Sequence, residues 1–593
     1  MSEAAEPTPA RPPSSRGGAL WLLGALLVFG VATALTYGEL WQRGASEQVV
    51  YKAWGDLMHE DPRGFRSEFM SRASTIEPLG WAEAFRADVI FESWLVSRNA
   101  RTLATHPQRL FDTEHCAPAE KTLTLGIPMI TMGALAIPTW LATGDSILTY
   151  NLTLVSLHWV AALAMYWLVA SWTGVPAAGI IAGLLYAFHP IRMMYVMHPS
   201  VWDSAWTVFA LLFAERLFAK GRWRDTLGLA ASIAFQIGAS FYSLLAAVFL
   251  TPSFAVWLLL RDRLRHVTPL QLAFVGGCVA LATAALLGPY LWSPAAGKLE
   301  HAALAFAAPG SYLPGGRIFP GWCLLGLAAL GALWPRGGWL RIAGDPRGAL
   351  LCGALLVAGV AAGPTLPEAG ARHLPEGLAA RVPDFWAGFG ALLPGLGAVR
   401  IVERLIQGVL IALCILAGLA AAALIQRSGR FGGLVAAAVL GLAAVDTLRI
   451  DSLGIEQRFT FEYADIRPDE DTLAFFRALE HRGNHGPILE VPVYPQATIL
   501  ATPPRIQQSL YHGRRTSACF GSYLPPQRAR LEILAERLPR PAAVEELVGL
   551  GFTTVVFHHP ERADPLRGAR LRPNRIKRLY SLHGMTAYSL TAE

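Results

Sequence analysis

A chain of 593 residues that is 53% hydrophobic and only 16% charged, with a mean hydropathy of +0.38, does not have the composition of a soluble protein, in which about a quarter of residues are charged. Its net charge of +7 is scattered over short loops between apolar runs, which points to membrane topology rather than to nucleic acid. Six cysteines without a CxxC pair or other ligand spacing speak against a zinc site.

The chain opens with MSEAAEPTPARPPSSRGG, whose Pro, Ser and Ala content predicts a disordered cytoplasmic tail over residues 1–17. A signal-anchor follows from residue 18, because the apolar run to Tyr37 is long and no clean A-x-A cleavage site comes after it. Next is a polar loop, 38–122. It holds a helical-looking stretch, SEQVVYKAWGDLMHE, the turn signals DPRG and HPQ, and the segment RADVIFESWLVSRN. Apolar residues at 89, 91, 94 and 95 after Asp88 suit an amphipathic helix at the membrane interface, with Trp81 and Trp94 as anchors. Glu92 stands at i+4 from Asp88 on the same face. Arg86, Arg98, Arg101 and Arg109 are the nearby cations, with His106 and His115 further on. A carboxylate beside arginines at a membrane boundary can take a proton from an acceptor hydroxyl while the arginines hold a phosphate leaving group. It can equally be one half of a structural ion pair.

Apolar runs follow at 123–142, 147–171, 175–193, 200–219, 226–242, 244–260, 269–291, 319–334, 349–364, 402–425 and 432–449. The cationic connections KGRWRD, RDRLRH, 335–347 and QRSGR fit one alternating cytoplasmic register. That register puts loops 38–122, 189–200, 292–318 and 365–400 and the tail from 450 outside. Three apolar runs separate the first two of these loops, yet two points on one side are joined by an even number of crossings. One run, 123–142 or 175–193, is therefore predicted to be a half-length or re-entrant helix covered by protein. The expectation is a mainly α, polytopic membrane protein of about eleven spans with a cytoplasmic N-terminus.

From 451 the apolar runs stop and a small extracytoplasmic α/β domain is predicted over 451–593. DEDTLAFFRALEHR suits an amphipathic helix with positions 472, 475, 476 and 479 on one face. ILEVPVY and TTVVFHH read as buried strands; RARLEILAERL and AAVEELVGLG read as helices, the second stopped by Gly551. Cys116 and Cys519 are the two cysteines in polar segments, and a disulfide between them would suit an extracytoplasmic location.

The run DVIFESW, followed by HPQRLFDTEHCAPAEKTLTLG, resembles the first-loop pattern of bacterial C-type membrane glycosyltransferases. The resemblance continues through TYNLTLVSLHW, AGLLYAFHPIRMMYVMH, LFAKGRWRD and FQIGASFYSLL, and through ILEVPVYP, RTSACFGSYLPP and LVGLGFTTVVFHHP near the C-terminus. It implies a polyprenyl-phosphate-linked sugar as donor, a lipid, glycan or protein acceptor, and a location in the bacterial inner (cytoplasmic) membrane. It also implies an acidic residue of the first extracytoplasmic loop as general base: Asp88, with Glu92 in reserve. The next loop then offers Arg192, His198 and Asp203 as substrate ligands, beside Arg98 and Arg101. Ala87 and Val89 stand where the family stretch carries Gly and Pro, and an Asp-x-Asp second loop is absent. No cofactor is firmly implied, although a divalent metal is compatible with the pattern. Absence of a P-loop or GxGxxG context argues against nucleotide chemistry. A lipid or glycan transporter and a non-catalytic envelope scaffold are the competing classes; against the first stand the lack of an inverted repeat and the heavy load on one face.

Overall fold

The computed structural model describes residues 15–54, 80–262, 264–295, 306–313, 318–333, 345–379, 381–393, 396–447, 460–482, 485–494, 500–558, 566, 575–582 and 584–591, with side chains in the first-loop helix from Arg86 onward. The expected tail, the Trp81 anchor and His559 lie outside the described side chains.

The protein is a multi-pass helical membrane protein with a small α/β domain on one face. Its helices are α1 (Ser15–Arg43), α2 (Gly80–Thr105), α3 (Ile130–Thr143), α4 (Ser146–Thr173), α5 (Pro176–Ala187), α6 (Ala205–Lys220), α7 (Trp223–Ala239), α8 (Phe241–Asp262), α9 (Pro269–Leu286), α10 (Trp322–Leu333), α11 (Arg347–Ala362), α12 (Thr365–His373), α13 (Gln407–Arg427) and α14 (Gly432–Thr447). Among the described residues, six helical segments are long and apolar enough to cross a membrane: 18–43, 146–173, 241–262, 269–292, 402–427 and 429–447. The pair α11 and α12, bent by 90°, would make a seventh.

The parity problem in the sequence is resolved at α3. Asn99 Nδ2 of α2 donates to the Pro128 carbonyl (2.8 Å), just before α3. Asp145, just after it, pairs with Arg467 of the C-terminal domain. Both ends of this 14-residue helix therefore lie on the face that bears the first loop, so α3 does not cross. The second suspect run is also short. Its α5 has 12 residues, is buried from Ala178 on, and leads into the wholly buried segment 188–204, which contains two single helical turns, Pro190–Met193 and Pro199–Trp202. Irregular backbone of this kind is tolerated at membrane depth because protein covers it. If direction alternates, the other eleven apolar helices consist of the six long ones and five shorter ones (α5, α6, α7, α10 and α11) of 12 to 17 residues. The expected eleven spans are therefore not all full length.

Close helix packing relies on small residues. A Cβ on Gly331 of α10 would lie 1.9 Å from the Leu416 carbonyl oxygen of α13, so only glycine permits this approach.

After α14 the chain returns to the first loop. Strands β1 (Gln48–Trp54) and β2 (Thr460–Asp465) form an antiparallel ladder from Gln48↔Asp465 to Trp54↔Thr460. This corrects the helical reading of SEQVVYKAW: consecutive Val49, Val50 and Tyr51 favour extended chain once a partner strand is available. In the domain proper, β3 (Ile488–Val491) pairs parallel with β4 (Thr554–His558). β6 (Met585–Leu590) pairs antiparallel with both β4 and β5 (Ile576–Leu582), giving the order β3-β4-β6-β5. Helices α15 (Glu470–Glu480), α16 (Pro503–His512), α17 (Gln527–Glu536) and α18 (Pro541–Gly549) complete it. On α15 the buried face is Leu473, Phe475, Phe476 and Leu479; Thr472 instead lends its N–H to the Asp469 cap (2.7 Å).

Candidate active site

Helix α2 does not lie at an exposed interface. Val89, Ile90, Trp94, Leu95 and Val96 are all buried, and Trp94, expected as an interfacial anchor, donates its Nε1–H to Ser509 Oγ of α16 (2.9 Å). The C-terminal domain thus sits directly on this helix. It is tied down further by Thr516 N–H to the Glu114 carbonyl (2.7 Å), Cys116 N–H to Ala518 (2.8 Å), Tyr523 N–H to Leu125 (3.0 Å) and the Cys116–Cys519 disulfide.

Along α2 two polar groups of opposite character occur. Near its start, Asp88 and Glu92 project one turn apart towards the buried segment 188–204. His198 Nε2 is 3.8 Å from Asp88 Oδ2 and its Nδ1 is 3.4 Å from Glu92 Oε1. Ser200 Oγ donates to Glu92 Oε1 (2.9 Å), while Glu92 Oε2 is buried with no hydrogen-bond partner. The Asp88 side chain keeps 41% of its surface, yet protein surrounds it closely enough for burial to raise its pKa. His198 opposes that rise, Glu92 adds to it, and Arg404 and Arg400 oppose it. Asp88 is thus an accessible carboxylate with His198 and Glu92 beside it.

Arg404 was not singled out in the sequence. It lies in the short turn Val402–Ile406 ahead of α13, its guanidinium 5.8 Å from the Tyr195 ring and 5.0 Å from the Tyr242 ring. Its Nε has no hydrogen-bond partner. The neighbouring Glu403 is buried and accepts from Tyr195 Oη (3.1 Å). The signal was present in VRIVERLIQ, three charges where an apolar run begins, but the sequence does not place that stretch beside residue 88.

Further along α2, Arg98 is saturated. Its Nε–H donates to Glu114 Oε2 (3.0 Å), one terminal nitrogen to Asn99 Oδ1 (3.3 Å) and the Leu110 carbonyl, the other to the carbonyls of Arg109 (2.8 Å) and Asp112 (2.9 Å). A guanidinium has five N–H donors, so none remains for a substrate. Arg101 joins the same lock through Glu114 Oε1 (2.6 Å). Burial would raise the Glu114 pKa, but Arg98 and Arg101 outweigh it and hold the carboxyl below its ordinary value. The two arginines expected to hold substrate instead fold loop 106–126 back onto α2. Arg192 departs from expectation as well: it is wholly buried between the faces of Tyr186 (4.5 Å) and Trp202 (4.8 Å), and Asp203 is buried nearby. Neither is exposed beside Asp88. Among the described residues, no group of three or more His, Cys, Asp or Glu side chains is placed to hold a metal ion.

No known family's sequence profile matches the chain, and no curated protein matches it. Among solved structures, the crystal structure of ArnT from Cupriavidus metallidurans in the apo state aligns over 84% of this chain and 95% of that one, at 14% identity and a TM-score of 0.35.

Proposed function

We propose that this protein is an integral-membrane glycosyltransferase. It transfers a sugar from a polyprenyl-phosphate donor to a hydroxyl on the face that bears the first loop and the C-terminal domain. The observation that carries this reading is the side-chain cluster: a reachable carboxylate of raised pKa, a histidine between two acids, and an arginine against aromatic faces nearby.

Asp88 is the general base. Its raised pKa brings it nearer to the working pH, where a base is most effective. It takes the proton of the acceptor hydroxyl as that oxygen attacks the anomeric carbon from the side opposite the leaving group, so configuration inverts. The bond from the anomeric carbon to the phosphate oxygen breaks, and the electron pair leaves with the polyprenyl phosphate. Arg404, with Arg400 near it, stabilises the charge growing on that phosphate, a part the sequence had suggested for Arg192. Glu92 positions His198, and His198, when protonated, holds Asp88 in its ionised form.

The test presents membranes containing the protein with a panel of radiolabelled polyprenyl-phosphate sugars and, as control, nucleotide sugars. Label should leave a polyprenyl-phosphate donor and appear in an acceptor with the opposite anomeric configuration. Transfer from a nucleotide sugar alone, or from no donor while lipid-linked glycan is moved across the membrane, contradicts the reading.

A further inference from the structure

A second feature lies away from the carboxylates. It is a groove of about 350 Å³ between α1, α4, α5 and α6, lined by Tyr166, Trp167, Ser171, Phe209, Phe213 and Arg216. Helix α4 leaves the domain-bearing face at Asp145 and runs 28 residues, about 42 Å at 1.5 Å per residue. The groove touches Gly174, just beyond its far end, and Gly18, near the start of α1. It therefore opens at the opposite membrane surface from Asp88 and is too far away to hold the reacting end of a donor.

Its chemistry is divided along its length. Phe209, Leu212, Phe213 and Arg216 fall at i, i+3, i+4 and i+7 on α6 and line up as one stripe, three apolar residues and then a cation. Trp167 is 42% exposed on the facing helix, where an indole suits the boundary between acyl chains and headgroups. Arg216 uses Nε towards Asp225 (3.1 Å), and no described residue bonds its terminal nitrogens. Past the groove, Lys220, Arg222 and Arg224 are exposed. An apolar, aromatic trough that ends at an available guanidinium and three exposed cations fits a ligand with a hydrocarbon tail and an anionic head.

The geometry points to a binding site for one anionic phospholipid of the leaflet opposite the active site, with an acyl chain along Phe209 and Phe213 and its phosphate at Arg216. This is independent of what the carboxylates do. The site fastens α6 to α4, and α6 follows directly on the buried segment 188–204, which contains His198 and ends at Ser204, the N-cap of α6.

Delipidated full-length protein in neutral detergent should rise in melting temperature with added phosphatidylglycerol, and rise much less with phosphatidylethanolamine. Native mass spectrometry should show one retained phosphatidylglycerol. Ser171→Trp, which fills the exposed wall of the groove, should abolish both effects. The exposed triple change K220Q/R222Q/R224Q, which does not touch the packing, should weaken phosphatidylglycerol binding several-fold. Equal stabilisation by the two lipids, or an undiminished response in both variants, would overturn the site. So would a response that appears only after removal of residues 1–14, because the groove would then belong to the chain's own N-terminal segment.

Discussion

Helix α2 carries charge at two places only a few residues apart, and the two are bonded in opposite ways. At Arg98 every donor is matched by a protein acceptor, the acid between the two arginines is held ionised, and almost nothing is exposed. At Asp88 the neighbours are 3.4 to 3.8 Å apart, one carboxylate oxygen of Glu92 has no partner, and Asp88 remains open. A structural ion network is complete in itself; a site that awaits substrate is not. Completeness of bonding, more than charge or sequence position, separates the two roles.

The largest effect expected from breaking this comparison is at the complete end. Arg98→Ala removes the partner of Glu114 Oε2 and of three carbonyls, leaving Arg101 alone on Oε1, and loss of one partner of a buried pair costs about 3–5 kcal/mol. Thermal unfolding should show that loss, and activity should vanish with the fold. At the open end, Arg404→Gln should leave the melting temperature almost unchanged while lowering turnover by about 10²–10³-fold, the scale seen when one transition-state donor is removed. If Arg404→Gln unfolds the protein instead, the cluster at Asp88 is a structural network like the other.

Acid sharpens the contrast. Burial lowers the pKa of His115 to about 3 and that of His512 to about 4, so both are neutral when folded. Unfolded, they take up protons below about 6.5. Stability conferred by their neutral burial is therefore present above pH 6.5 and lost as pH falls towards those values, at up to about 1.4 kcal/mol per pH unit for each. Turnover should also fall on the acid side, but through the raised pKa of Asp88, with the fold still intact at the first loss of activity. His198→Asn, which keeps a polar group but no positive charge, should shift that acid limb upward and reduce turnover only several-fold. Rate profiles and unfolding curves measured in parallel across pH separate the two effects.

Much of the fold was legible because it is written in local pattern. Hydropathy marked the runs, and the parity conflict drawn from cation placement predicted that one of two runs is a half-length helix; α3 and α5 are both short. The β-branched strands and the Gly551 stop were read in the same way. What could not be read depends on partners distant in sequence. β1 is a strand because β2 arrives from the far end of the chain. Trp94 is buried because Ser509 covers it. At the site, the i, i+4 spacing put Asp88 and Glu92 on one helix face, and loop topology put His198 on the same side of the membrane; their contact is visible only in the fold. Arg98 and Arg101 looked like substrate ligands because sequence shows charges but not the carbonyls of 109, 110 and 112 that use up Arg98, nor the Glu114 carboxylate that holds Arg101. Arg404 was missed for the converse reason.

Asp88→Asn tests the central claim most directly, with turnover and melting temperature measured on the same membranes at matched abundance. Because burial raises the Asp88 pKa, its ionised form costs stability at neutral pH, so the neutral isostere should unfold at the same temperature or slightly higher. Turnover should fall by about 10²–10⁴-fold, the usual contribution of a positioned base. Unchanged turnover in a stably folded Asp88→Asn protein would contradict the account, and would make the open end of α2 as structural as the closed one.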